Sequence, residues 1–183
     1  KISKCNNTLL TGMDGQPPLD LLQKIHEELD EKDQSLLQTS LFLGIEMDPR
    51  KDNPQQGDFL IRNIMAADKE SGGIQVGAIL REGQLVQFHL RDKDMSAEDL
   101  RLVLNRYKTK EHSEKASGAL LFSCLGRGQY LYEKLNHDSD MFRDQLGDIP
   151  LGGFFCNGEI GPVGKTTFLH GYTSSFGIFH PIH

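Results

Sequence analysis

Two apolar runs that end in cysteine and pass straight into glycine-rich turns constrain this chain more than any other feature of it. The first is Gly118-Ala119-Leu120-Leu121-Phe122-Ser123-Cys124, followed by Leu125-Gly126-Arg127-Gly128. The second is Leu151 to Cys156, followed by Asn157-Gly158-Glu159-Ile160-Gly161. Both runs read as strands. Glycine permits backbone conformations closed to other residues and lets a ligand approach the main chain. The turns are therefore where chemistry is to be sought.

The rest of the chain supplies a scaffold of alternating elements. A short strand is expected over Thr8 to Met13, then a helix opened by Pro17 and Pro18 with Leu22, Ile25 and Leu29 on one stripe. A second piece around Leu36 and Leu37 leads into a strand at Leu41 to Met47. Three strands should follow: Phe59 to Ala66, Ile74 to Leu80, and Val86 to Leu90. Their period-two alternation marks one buried and one open face, and their short glycine-containing connections predict antiparallel neighbours. Ser96 and Asp99 resemble a capping box ahead of a helix carrying Leu100, Val103, Leu104 and Tyr107. Lys108 to Ser117 reads as a charged linker. Helical turns to Leu146 separate the two apolar runs, Asn157 to Gly164 reads as a turn, and one strand should close the chain from Thr167 to Phe179. The order of elements predicts an α+β fold, a mixed and largely antiparallel sheet with helices packed against it, as one compact domain over residues 1–183.

At the turns, Gly126, Arg127 and Gly128 lead into a predicted helix at Gln129. Backbone N–H groups at that helix start could face an anion, and Arg127 adds a planar fork for carboxylate or phosphate. Glu159 offers an acceptor for an ammonium or hydroxyl group. Two arrangements are open. The loops jointly hold a small zwitterion, with Asn157, Gly158 and Gly161 shaping the second turn, or Arg127 and Glu159 pair with each other. Cys124, Cys156 and His170 would form the walls. A reactive thiol needs a pKa lowered by a nearby cation or helix start; the simpler reading makes both cysteines small buried residues closing their strands. Gly158 to Thr166 superficially resembles a phosphate-binding P-loop. Five residues instead of four precede Gly164-Lys165, and a strand pattern follows where a helix is required, so nucleotide hydrolysis is rejected.

Composition narrows the classes. The 183 residues, 37% hydrophobic, suit a soluble domain, and the net charge of −6 argues against a nucleic-acid partner. No apolar run is long enough for membrane insertion. Three cysteines (Cys5, Cys124, Cys156) argue for a reducing intracellular compartment, and their spacing fits neither a disulfide framework nor a zinc site.

The two turn motifs also carry a resemblance. Gly118 to Gly128 and Pro150 to Pro162, with Phe168-Leu169-His170-Gly171-Tyr172-Thr173, resemble the two signatures of the FIST C-terminal domain family. Gly57 to Asn63 and Val86 to Arg91 extend the likeness over nearly the whole chain. It is nearer to the bacterial, cyanobacterial and plant versions than to the animal F-box proteins. The resemblance implies an intracellular sensory domain for a small polar metabolite such as an amino acid, in cytoplasm or plastid stroma. It also implies a FIST N-terminal domain or other protein as partner, no cofactor, no metal and no catalytic residues. A protein-interaction module without a small ligand, and a cysteine-dependent enzyme, remain as alternatives.

Overall fold

Alternating apolar residues and tight turns place the first half of the chain in one sheet. The computed structural model describes residues 1–55, 57–109, 116–163 and 166–181. The chain divides into two compact units, Lys1–Asp92 and Lys93–His183. The α+β class holds in both, with helices on mostly antiparallel sheets.

In the first unit, strands β1 (Ile2–Asn6), β2 (Leu9–Met13), β3 (Leu41–Glu46), β4 (Phe59–Asp68), β5 (Gly73–Val76) and β6 (Val86–Leu90) form a sheet in the order β1-β2-β5-β4-β3-β6. Every pairing in it is antiparallel. Helix α1 (Pro18–Glu28) starts on Pro17 and Pro18, whose fixed φ suits a first turn. Helix α2 (Glu31–Thr39) is capped by Asp30, which accepts from the Asp33 N–H at 2.9 Å. The core gathers Leu10, Leu43, Ile74 and Val76, all with 1% exposure or less, with Val86 and Leu80 beside them. Two expectations are corrected. β5 and β6 are not neighbours, because β6 pairs with β3. Strand pairing stops at Val76, so Ala78 and Leu80 pack on the core without extending the sheet.

The second unit contains helix α3 (Lys93–Lys108), strand β7 (Gly118–Cys124), helices α4 (Gln129–Tyr132) and α5 (His137–Leu146), and strands β8 (Leu151–Cys156), β9 (Glu159–Val163), β10 (Thr166–His170) and β11 (Ser174–Phe179). The order β11-β7-β8 makes a three-stranded sheet, and β9 and β10 form a hairpin. β7 and β8 are parallel. A parallel pair needs a crossover, and α4 and α5 supply it. Leu100, Leu104, Ala119 and Phe142 make the core, with Phe142 stacked on Phe176 at 5.3 Å between ring centroids.

Here too the chain departs from expectation. α3 begins at Lys93, so Ser96 lies inside the first turns and does not cap it. The expected turn at Asn157 to Gly164 contains β9, and the expected final strand breaks at Gly171 to Thr173 into β10 and β11, with Tyr172 at φ 60°. Most of the linker expected at Lys108 to Ser117 lies outside the described residues. Among the described residues, no helix is long and apolar enough to cross a membrane.

Phe142 is 1% exposed and braces α5 against β11. Phe142→Ala should destabilise the second unit by about 3–5 kcal/mol, read as a lowered unfolding midpoint in denaturant.

Candidate functional site

The parallel register sets Cys124 opposite Cys156, and the Leu125 N–H donates to the Cys156 carbonyl at 2.9 Å. The two apolar strands therefore end side by side, and both glycine turns leave from the same end of the sheet. The first turn is closed by the Arg127 N–H donating to the Cys124 carbonyl at 2.9 Å. It then enters α4 through Gly128 at φ 63°, where a Cβ would stand 3.0 Å from the Phe155 ring. Glycine is needed there on both counts.

Arg127 is turned inward and is 6% exposed. Its Nε donates to Asp138 Oδ2 at 2.8 Å and its Nη2 to Oδ1 at 3.1 Å, a two-pronged contact of the kind guanidinium and carboxylate planes favour. Nη2 also donates to the Tyr132 hydroxyl, and Nη1 to the Tyr172 carbonyl at 3.4 Å. Asp138 sits in the first turn of α5, where the helix dipole favours a negative charge. It accepts from Ser123 Oγ at 3.1 Å and from His137 Nδ1 at 3.0 Å. Burial pushes the Asp138 carboxyl up, but the bonds and charge of Arg127 outweigh that and hold it below its ordinary value. Burial acts against the Arg127 charge in the same way, and Asp138 overrides it. Tyr132 is pushed up to about 12, chiefly by burial. An ionised carboxylate only accepts, so His137 must carry its hydrogen on Nδ1, and its Nε2 is an acceptor while the ring is neutral. Tyr132 stacks on this imidazole with centroids 3.5 Å apart.

Glu159 is equally buried, at 4% exposure, and opens β9. Its Oε2 accepts from Thr173 Oγ1 at 2.6 Å and its Oε1 from Cys156 Sγ at 3.4 Å. Arg127 and Glu159 thus belong to the same end of the sheet without pairing with each other. Each has found another partner, Asp138 for the cation and Thr173 for the carboxylate. The expected pairing of Arg127 with Glu159 is not the one observed: the guanidinium fork is filled from within the protein by Asp138. The Cys156 thiol is pushed up by burial and by the neighbouring Glu159 carboxylate, opposite to what a nucleophile needs.

Beside the Arg127–Asp138 pair lies a cavity of about 430 Å³. Leu121, Leu125, Leu135, Leu151 and Phe155 give it apolar walls; Ser123, Gln129, Asn136, His137 and Ser139 bring polar groups to it. Of the residues singled out in the sequence, Arg127 and Gly128 line it. Gly126 lies in the turn between them and β7. Cys124 and Cys156 close their strands, and Asn157 is exposed. Gly158 at φ 151° holds the approach to β9, where a Cβ would come within 3.1 Å of the His170 carbonyl. His170 Nε2 meets the Gly161 carbonyl at 3.1 Å across the hairpin. These residues support the cavity's end of the sheet without facing the cavity. Asp138 and His137 escaped the sequence reading. A signal existed, since a buried arginine requires a carboxylate and Asn136 and Asp138 mark a helix start, but several acids nearby could have served. Among the described residues, no cluster of His, Cys, Asp or Glu is placed to hold a metal.

A family model described as the FIST C domain matches residues 18–162. An uncharacterised protein of Mycobacterium bovis is 38% identical over 178 residues, covering 97% of this chain and 46% of the relative. The chain therefore spans about half the length of such relatives. An F-box/LRR-repeat protein of Arabidopsis thaliana is 25% identical over 94% of the chain and 37% of its own length. Human F-box only protein 22 is 32% identical over 50% of the chain and 27% of its own length.

Removing Asp138 should leave the Arg127 charge buried and alone, so Asp138→Ala is expected to cost about 3–5 kcal/mol in chemical denaturation. The folded carboxyl titrates below its reference value of 3.8. The pair's contribution is therefore whole above that pH and fades as pH falls through the lower folded value. Between neutral pH and about pH 2, wild type should lose more stability than Asp138→Ala.

Proposed function

The chain belongs to the FIST C domain family, and on that premise we propose that it is a signal-input domain whose cavity receives a small molecule with an apolar body and a hydrogen-bonding head. The cavity carries this reading: about 430 Å³ falls within the range of roughly 300–1,000 Å³ usual for small-ligand sites, and apolar walls with a few fixed polar groups are their usual lining. His137 is the group best suited to read the head. Asp138 holds its Nδ1–H and Tyr132 its ring plane, so the imidazole is oriented before a ligand arrives. An amino acid remains a fitting class of ligand. Its recognition would fall to His137 and to the amides of Gln129 and Asn136, because Asp138 already occupies the Arg127 fork. The raised thiol of Cys156 favours a binding role over a catalytic one, and three free cysteines suit a reducing compartment.

Signalling requires a ligand that binds two conformations unequally. A head group that draws His137 away from Asp138 would alter the bonds that hold Arg127, and so the turn after β7. The second reading is protein recognition. Large apolar side chains lie open around the cavity, with Phe154 63%, Phe155 56% and Tyr130 91% exposed, and relatives include F-box proteins.

A thermal-shift screen of amino acids and small amphipathic metabolites, followed by calorimetry, tests the first reading. His137→Ala should weaken a genuine ligand about tenfold, the loss expected of one buried hydrogen bond. Leu135→Trp, at an exposed position on the cavity wall, should block it sterically. Ligands that bind both variants as they bind wild type would place the site elsewhere.

A further inference from the structure

Side chains of β8 wall the cavity, but the backbone groups along its outer edge are not used by a small molecule there, and they suit another kind of contact. Among the described residues β8 ends its sheet, with β7 on one side and no strand on the other. The Ala119 N–H donates to the Pro150 carbonyl at 2.8 Å and the Leu125 N–H to the Cys156 carbonyl at 2.9 Å. In a parallel pair, alternate residues turn both their backbone groups to the neighbour. Counting along this register, Gly152 and Phe154 face β7, and the N–H and C=O of Gly153 and Phe155 face outward. Gly152 to Phe155 are all exposed. The strand, Leu-Gly-Gly-Phe-Phe-Cys, carries none of the charges or internal prolines with which edge strands ordinarily discourage pairing.

Gly153 adds the second observation. Its φ is 157°, and a Cβ there would fall 1.9 Å from the Leu121 carbonyl oxygen, so no other residue fits. The strand is left bare where it borders the cavity, a feature of strands that another backbone approaches closely. We propose that the outer edge of β8 pairs with an extended segment of another polypeptide, whose side chain opposite Gly153 enters the cavity. The proposal rests on the reading of that cavity as a recognition site. Directly paired residues share a face of the sheet, so the partner's apolar side chains should recur at every second position. A second copy of this chain fits the edge poorly. The outward residues it would bring are Gly153, which has no side chain, and Phe155, whose ring is held over Gly128.

The test uses a displayed library of random ten-residue peptides selected on the whole chain, with the enriched peptides then synthesised. Enrichment of apolar residues at alternate positions is expected. N-methylation of alternate peptide amides should weaken binding tenfold or more in one parity and little in the other, because only one set of amides faces β8. Phe155→Pro removes an outward donor without touching the bonds to β7, and should abolish peptide binding. Phe155→Thr keeps the donor and should retain more of it. Loss of peptide binding is scored only if circular dichroism shows the proline variant folded; otherwise the parity of N-methylation decides. No enrichment over a control protein, equal effects of both parities, or wild-type binding by a folded Phe155→Pro would overturn the proposal. So would sedimentation of wild type as a dimer that Phe155→Pro dissolves. If peptides fail while small ligands raise the melting temperature of wild type, only the edge pairing falls and the cavity reading stands.

Discussion

The second unit is organised around a charge that has nowhere to go but inward. Arg127 follows an apolar strand by three residues and is shut away from water, and burying an unpaired guanidinium is prohibitive. Asp138 resolves the problem from the first turn of α5. The pair therefore fixes where α5 starts relative to the end of β7, and with it the path of the crossover that makes β7 and β8 parallel. A hydrophobic pair of similar volume could be as stabilising. What the ionic pair adds is direction: two parallel bonds tolerate little rotation, and Ser123 and His137 fill positions around the carboxylate that an apolar substitute would leave undefined.

The cavity is a by-product of this arrangement. Once α5 is tied to the turn, the segment between α4 and α5 stands over the end of the sheet, and the space below it is walled by whatever β7 and β8 present. β8 presents two glycines and two phenylalanines, hence an opening beside flat aromatic surface. Polar groups gather at one side because the helix start brings Asn136, His137 and Ser139 together there.

Much of the scaffold was legible because it obeys period-two alternation. β3, β4, β6, β7 and β8 were all read within a few residues of their limits, as was α1 from its prolines. β1 was missed since Lys1-Ile2-Ser3-Lys4 looks like a solvated basic run; only Ile2 is buried in it, and the tertiary pairing with β2 decides. β9 hid behind Gly161 and Pro162, residues that read as a turn but that a two-stranded hairpin accommodates. Neighbouring order also misled: β5 and β6 are successive in the chain yet separated by β4 and β3 in the sheet. At the site, the convergence of the two cysteine-ended strands was anticipated. The choice of partners was not, because whether Arg127 meets Asp138 or Glu159 depends on the crossover path, which no local pattern encodes.

One turn joins the two halves of that site. The Tyr172 carbonyl holds the Arg127 guanidinium, and the very next residue, Thr173, holds the Glu159 carboxylate. Tyr172 sits at φ 60°, a conformation with little slack for a side-chain-bearing residue. The single peptide between residues 172 and 173 is therefore bonded to both buried charges of the site, and a substitution that displaced it would disturb the turn after β7 and the base of the β9–β10 hairpin together.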